Sequence, residues 1–185
     1  MKRFRMSVAL ASLGLTLLCG LGTARALETA RFDLVPVRAA CLPDATGQVT
    51  VFHKEDSLGV DTLRLDVKGL PGNTDFAVFL TSADAFAVPA FGTAAYIGDF
   101  TTNAAGVGSL KVDAIINEAF VSTVLGSPPV RVRLADLDHL VFWFADPAQV
   151  PACFNFSGFT PFDGDGNAGP AAMSSQGTTG LEELP

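Results

Sequence analysis

The stretch TLRLDVKGL, residues 62–70, alternates apolar and charged side chains with a period of two. In an extended chain Leu63, Leu65 and Val67 point to one face, and the charged residues between them point to the other. This alternation is typical of a strand with one buried and one solvated face, as in an antiparallel sheet. The stretch therefore predicts β-structure.

Similar segments recur along the chain, and short runs rich in Gly, Pro and Asn separate them as turns. About eight short strands with regular turns predict an all-β fold, specifically an antiparallel immunoglobulin-like β-sandwich. Besides the stretch quoted above, strands are predicted at residues 31–38, 48–54, 75–81, 95–102, 109–115, 130–134 and 139–145.

One segment, AIINEAFVSTVLG at residues 114–126, has apolar residues at helical spacing. It predicts one short helix near residues 115–125. The segment HLVFWFA, residues 139–145, is apolar on both faces of a strand. We expect this strand to be covered either by that helix or by a second copy of the chain.

The N-terminal segment, residues 1–26, resembles a secretory signal peptide. Three basic residues precede an apolar run at about residues 8–21, and Ala24 and Ala26 occupy the positions that a signal peptidase reads. The apolar run is short for a membrane span, and no later segment is long and apolar enough. We therefore expect a secreted or otherwise extracytoplasmic protein. A membrane anchor and lipidation of Cys19 remain open as alternatives.

Removal of the signal peptide leaves one predicted β-sandwich domain, residues 27–159, and a tail, residues 160–185, predicted to be disordered, acidic and rich in Gly and Ser. These residues keep eight basic side chains and all nineteen acidic ones, a net charge of −11 (8 − 19). Such a charge disfavours binding to nucleic acid or to anionic membranes.

Two cysteines remain after removal of the signal peptide, Cys41 and Cys153. Because the secretory route is oxidising, we expect them to form one disulfide. It would close a loop of roughly 112 residues, for which the chain-entropy model gives about 4–5 kcal/mol of stability.

The segment VKGLPGNTDFAVFLTS, residues 67–82, resembles the corner of fibronectin type III and related immunoglobulin-like sandwiches. In that corner a strand ends at a Leu-Pro pair and the next strand opens with a Thr and an aromatic residue. The resemblance implies a secreted immunoglobulin-like sandwich, and it transfers no site, because these families share no catalytic residues. An aromatic without a hydroxyl replaces the corner tyrosine of that family. The matching residues are Leu70, Pro71, Gly72, Thr74 and Phe76.

The segment DGDGN supplies Asp163, Asp165 and Asn167, which match the first, third and fifth positions of an EF-hand calcium loop. Ala168 stands at the position of the usual glycine, and Ser174 at that of the closing glutamate. A calcium- or other metal-binding protein is therefore an alternative hypothesis; the first hypothesis involves no cofactor, and the alternative involves calcium.

Other chemistry has little support in the sequence. A serine-nucleophile motif and a phosphate-binding glycine loop are both missing. A mixed metal site could use His53 with Asp136, Asp138 and His139, but only two histidines exist. Nineteen acidic residues leave a carboxylate-based hydrolase as a third hypothesis, which sequence spacing cannot test.

The segment SADAFAVPAFGTAAY, residues 82–96, joins two predicted strands and is apolar for a loop. Loops on a rigid sandwich often carry recognition residues. The first hypothesis is therefore an exported, non-catalytic interaction module with an unknown extracellular or surface partner. Oligomerisation is left open. The predicted interaction residues are Phe86, Val88, Pro89 and Phe91.

Overall fold

The computed structural model describes residues 29–53, 60–86, 94–114, 116, 118–121, 130–133, 137–156, 168–177, 179 and 181. Within these residues the regular secondary structure is almost entirely β-strand, with two short 3₁₀ turns at Pro147–Gln149 and Ala152–Phe154. The strands are β1 Thr29–Pro36, β2 Thr46–Phe52, β3 Asp61–Lys68, β4 Asp75–Thr81, β5 Ala94–Thr101, β6 Gly108–Ala114, β7 Glu118–Val121, β8 Val130–Arg133, β9 His139–Phe144 and β10 Ala171–Ser175.

Eight of these strands form one sheet in the order β5-β4-β9-β10-β1-β2-β3-β6, and every neighbouring pair is antiparallel. The sheet curls until its two outermost strands approach each other. Leu110 of β6 then lies against Gly98 of β5, and Phe100 of β5 lies against Gly108 of β6. The all-β, antiparallel prediction is confirmed, and the sheet is nearly closed.

The period-two pattern of residues 62–70 places the core as predicted. Leu63 and Leu65 are fully buried, whereas Arg64 and Asp66 between them are exposed. Successive residues of each strand point to opposite faces of the sheet. The residues that point inward from all eight strands pack together inside the curled sheet. The largest buried side chains of this main core are Phe76, Phe142, Phe144, Phe154, Leu63, Leu65, Leu80, Leu140 and Met173.

The turn between β3 and β4 contains the residues on which the fibronectin resemblance depends. Phe76 opens β4 in the core, stacked on Phe100 with 5.1 Å between ring centroids. A different side chain supplies a hydrogen bond to this corner: the Thr102 hydroxyl donates to the Pro71 carbonyl at 2.6 Å. The hydroxyl oxygen of Thr102 also accepts a hydrogen bond from the backbone N–H of Thr74 at 3.0 Å. Thr102 therefore ties the corner together without a tyrosine hydroxyl.

The prediction of a helix near residues 115–125 is wrong for residues 118–121; residues 115, 117 and 122–125 lie outside those described. Glu118–Val121 form strand β7, which pairs with β8 in a separate two-stranded antiparallel sheet. The apolar spacing in this segment fits a helix, but its isoleucines, valines and threonine are β-branched and favour strands. Pairing with β8 satisfies the backbone groups that a helix would have satisfied internally.

The prediction of a disordered tail is wrong for residues 171–175. They form β10, which lies between β9 and β1 in the middle of the sheet and is buried along its whole length. Small alanine and serine side chains allow this strand to fit where both faces are covered. Such a strand shows no apolar-polar alternation, so the sequence pattern does not reveal it.

The two cysteines lie at disulfide distance, with their Cα atoms 5.7 Å apart. Cys41 belongs to the turn between β1 and β2, and Cys153 to the second 3₁₀ turn. The bond thus joins an early part of the chain to the segment that precedes β10.

Several predictions fall on residues outside those described. They are the signal peptide of residues 1–26, with Cys19, and the calcium ligands Asp163, Asp165 and Asn167. Among the residues that are described, no helix has both the length and the apolar character needed to cross a membrane.

Candidate functional site

The half of the sheet made by β5, β4, β9 and β10 has a second apolar cluster on the face that points away from the main core, here called the outer face. A row of three aromatic rings crosses it. Trp143 of β9 is fully buried, and its ring meets Phe79 of β4 edge to face at 5.1 Å. Phe79 in turn meets Tyr96 of β5 at 5.5 Å. The row begins buried and ends at an exposed tyrosine, because Tyr96 is 53 % exposed.

Within the described residues, Ala85 and Ala168 join Ala171 of β10 in the outer cluster around Trp143 and Val141. This packing helps to explain why β9 is apolar on both faces. The helix expected to cover this strand is not formed at residues 118–121, which are strand β7. An oligomer interface at β9 stays a prediction.

The first part of the predicted interaction loop runs over the same outer face. The backbone N–H of Ala85 donates to the Ser174 hydroxyl of β10 at 3.0 Å, which fixes the segment across the sheet. The next residue, Phe86, is 37 % exposed. The other predicted members, Val88, Pro89 and Phe91, lie outside the described residues.

A groove of about 330 Å³ opens beside Tyr96 on the outer face. Its floor includes Ala77, a small and buried residue that pairs with Asp99 on one side and Trp143 on the other. Because alanine fills little space between larger neighbours, a depression remains above it. The groove, called the β4–β5 groove below, is lined by Asp75, Ala77, Tyr96, Asp99, Phe100, Thr101 and Ala145.

Asp75 is held rigidly at one end of the groove. One carboxylate oxygen accepts the Thr101 hydroxyl at 2.6 Å, and the other accepts the Gln149 side-chain amide at 3.2 Å. The backbone N–H of Asp75 donates to the side-chain amide oxygen Oε1 of Gln149 at 2.7 Å. Gln149 belongs to the first 3₁₀ turn, so that turn sets the orientation of the carboxylate.

Asp99 lies at the other end and accepts the hydroxyl of Tyr96. Partial burial of the ring, and then the hydrogen bond and the negative charge of Asp99, raise the pKa of Tyr96 to about 12. Tyr96 therefore keeps its proton at physiological pH. Because Asp75 pairs with Thr101 and Ala77 with Asp99, the two carboxylates are diagonal neighbours on one face. The Cα atoms of such diagonal neighbours are about 7–8 Å apart.

No family model, curated protein or solved structure matches the chain. The side chains of the groove include an exposed aromatic ring and two hydrogen-bonded carboxylates.

A second and larger cleft, of about 670 Å³, lies over β1, β2 and β3. Two of its acidic side chains are hydrogen-bonded: Asp33 accepts from Gln48 at 3.2 Å, and Asp66 accepts from the neighbouring Arg64 at 2.7 and 3.0 Å. The cleft is mainly apolar. The lining consists of residues 33–36, 45–48 and 66–68, with Val107.

The described residues form no metal site at the two histidines, and Asp136, another predicted ligand, lies outside those residues. His53 lies 2.9 Å from Asp61, and His139 contacts Asp138 at 3.4 Å and the Ser175 hydroxyl at 3.2 Å. Within the described ranges no group of three or more His, Cys, Asp or Glu side chains could hold a metal ion.

The contacts of His139 with Ser175 and Asp138 bring together the residue types of a serine-hydrolase triad. Ser175 is completely buried in β10, and its hydroxyl accepts the backbone N–H of Leu140 at 3.1 Å. A nucleophile must reach its substrate, so this serine has a structural role.

The sequence does not single out the residues of the β4–β5 groove as a site, because strand pairing, and not sequence spacing, brings Asp75 and Asp99 to the same face.

Proposed function

We propose that the protein is an exported, non-catalytic interaction module that binds a partner through the outer face of β5, β4 and β9. The observation that carries this proposal is the exposed ring of Tyr96, which continues a buried aromatic row and borders a groove. Tyrosine is enriched at the energetic centres of protein interfaces, because it offers a large rigid surface and a polar tip.

The rigidity of the surface supports the same proposal. Phe79 and Trp143 fix the Tyr96 ring from below, and Gln149 and Thr101 fix Asp75. A surface ordered before binding loses little side-chain entropy when a partner arrives. Phe86, anchored through Ala85 over the same face, adds a second exposed aromatic.

The division of the strands into two groups of four supports a two-layered sandwich as the finer fold, but their order differs from the ABED and CFG sheets of immunoglobulin domains. Divided between β10 and β1, the sheet gives one layer of β5-β4-β9-β10 and one of β1-β2-β3-β6, and the corner between β3 and β4 crosses from one to the other. The chain differs from antibody domains in its disulfide, which joins two turns and not two facing strands.

Export is supported by two features. The first 26 residues have the pattern of a signal peptide. The two cysteines that remain after its removal lie at disulfide distance, as expected in an oxidising compartment.

The proposal is tested by affinity capture from the medium and envelope of cells that produce the protein. Wild type is compared with Tyr96→Ser and with the control Val107→Ser, which removes an exposed side chain of similar accessibility (53 % and 46 %) at a distant turn. A partner identified by mass spectrometry should be retained by wild type and by Val107→Ser, and lost by Tyr96→Ser. Equal retention by all three proteins, or no partner above background, would refute the proposal.

A second candidate, a carboxylate-based hydrolase, is favoured by one observation: the β4–β5 groove holds Asp75 and Asp99 on the same face. Glycosidases place two carboxylates about 5–10 Å apart. Purified protein tested on chromogenic glycosides should then show turnover that Asp99→Asn abolishes. Turnover that is undetectable in wild type, or unchanged in the variant, removes this candidate.

A further inference from the structure

We infer that the β4–β5 groove binds an arginine side chain of the partner, with the guanidinium between Asp75 and Asp99 and against the ring of Tyr96. This inference rests on the proposed function, since it specifies the chemistry of the partner at the same face. Three properties of the groove support it: its charge, the direction of its hydrogen bonds and its aromatic wall.

The charge of the groove is uncompensated. Asp75 contacts Thr101 and Gln149, and Asp99 contacts Tyr96, so every side chain bonded to these carboxylates is neutral. Neither carboxylate has a basic partner within the part of the chain that the structure describes. The residues that line the groove likewise include no lysine, arginine or histidine. A cationic ligand would supply the missing opposite charge at partly desolvated positions.

In the side-chain hydrogen bonds of the groove, the carboxylates of Asp75 and Asp99 are the acceptors. The hydroxyls of Thr101 and Tyr96 already donate to Asp75 and Asp99, as does the amide of Gln149 to Asp75. A carboxylate can accept about four hydrogen bonds. Asp75 accepts two through its side chain and Asp99 accepts one, so the groove offers acceptors and has its side-chain donors occupied. A ligand must therefore bring several N–H or O–H donors.

The aromatic wall favours a flat cation. The ring of Tyr96 is half exposed at the side of the groove, and its phenol is neutral at physiological pH, as a tyrosine with the ordinary pKa near 10 also is. Guanidinium groups stack on aromatic faces and carry five donors in a planar fork, which suits two separated carboxylates better than the compact ammonium of lysine.

Two other occupants fit less well. Calcium takes six to eight oxygen ligands, commonly from several carboxylates, and the described lining has only two carboxylates. A sugar needs donors from the protein as well as acceptors, and the hydroxyls here are engaged.

The test is a titration of ¹⁵N-labelled protein with N-acetylarginine amide, followed by NMR. The control ligand is N-acetylcitrulline amide, which has nearly the same shape without the charge. We expect the arginine probe to shift backbone amides of β4 and β5 around the groove, and citrulline to leave them unchanged. Asp99→Asn should weaken arginine binding about tenfold, the effect of one charge-assisted contact. Asp33→Asn, an exposed acidic residue on β1, should bind as wild type does.

Each outcome decides the inference. Equal binding of citrulline and arginine, unchanged affinity in Asp99→Asn, or shifts confined to other strands would overturn it, as would shifts produced by calcium chloride or glucose and not by arginine. Because Asp99 is exposed, its substitution should preserve the dispersed spectrum of the folded protein. If arginine fails while Tyr96→Ser still loses the captured partner, the interaction function stands and only the arginine chemistry is refuted.

Discussion

Tyr96 is the only tyrosine in the chain, so its ionisation can be measured without interference from other tyrosines. In the folded protein its pKa is raised from 10.0 to about 12. Partial burial of the ring is the largest cause, followed by the hydrogen bond to Asp99 and the charge of that carboxylate. Asp99→Asn removes the charge and replaces the anionic acceptor with a neutral one. The pKa should therefore fall towards 10.0 in the variant, while the part that is due to burial remains.

The assay is the absorbance of tyrosinate at 295 nm after rapid jumps to alkaline pH. A stopped-flow instrument records the ionisation of the folded state before the protein unfolds at high pH. The fluorescence of Trp143, the only tryptophan, reports unfolding in the same samples. Protein in concentrated guanidinium chloride gives the reference, where the midpoint should be near 10.

Stability should follow from the same shift. A tyrosine whose pKa is higher in the folded than in the unfolded state contributes stability that is fully present below about pH 10 and is lost as the pH rises towards 12. Since the side chain is half exposed and screened by solvent, we expect this contribution to be at most about 1 kcal/mol. A folded-state midpoint near 10, or equal midpoints in wild type and Asp99→Asn, would show that the contact with Asp99 is absent in solution.

Three further predictions concern stability and can be checked by denaturant unfolding. Cys41→Ser with Cys153→Ser should lower the free energy of unfolding by about 2–5 kcal/mol, and reduced wild type should match it; a loss below 1 kcal/mol would argue against the bond. Phe142→Ala leaves a cavity in the main core and should cost about 3–5 kcal/mol, whereas a cost near zero would place this ring outside the core. Gly106→Ala should cost about 1–3 kcal/mol, because Gly106 has a positive φ of 72° and a Cβ there would meet the Leu70 carbonyl; an unchanged midpoint would contradict this turn geometry.

The sequence predicts strands well where one face is wet. β3 is predicted with nearly correct bounds because charged residues mark its solvated face; β4 has no such face, and the turn residues before it mark its start. β10 was missed, since alanine and serine carry little apolar signal and both faces of the strand are buried. The sequence predicts a helix at β7, because its apolar residues have helical spacing. Such spacing also occurs in strands, and only the pairing with β8 decides between helix and strand.

The candidate site was less predictable than the fold. Tyr96 and Asp99 belong to one strand and Asp75 to another, so their meeting depends on the register between β4 and β5. That register also contains a shift between Val78 and Phe79, which no local pattern indicates. Phe86 was selected by sequence and is exposed, as an interaction residue must be.

The position of β10 has a consequence for biosynthesis. β1 is the first described strand to leave the ribosome and β10 the last, yet they are hydrogen-bonded neighbours in the middle of the sheet. Until nearly the whole chain has been made, β1 and β9 each expose a row of unpaired backbone groups, which can pair with other nascent chains. We therefore expect a molecular chaperone to shield the unpaired edges of β1 and β9 during synthesis.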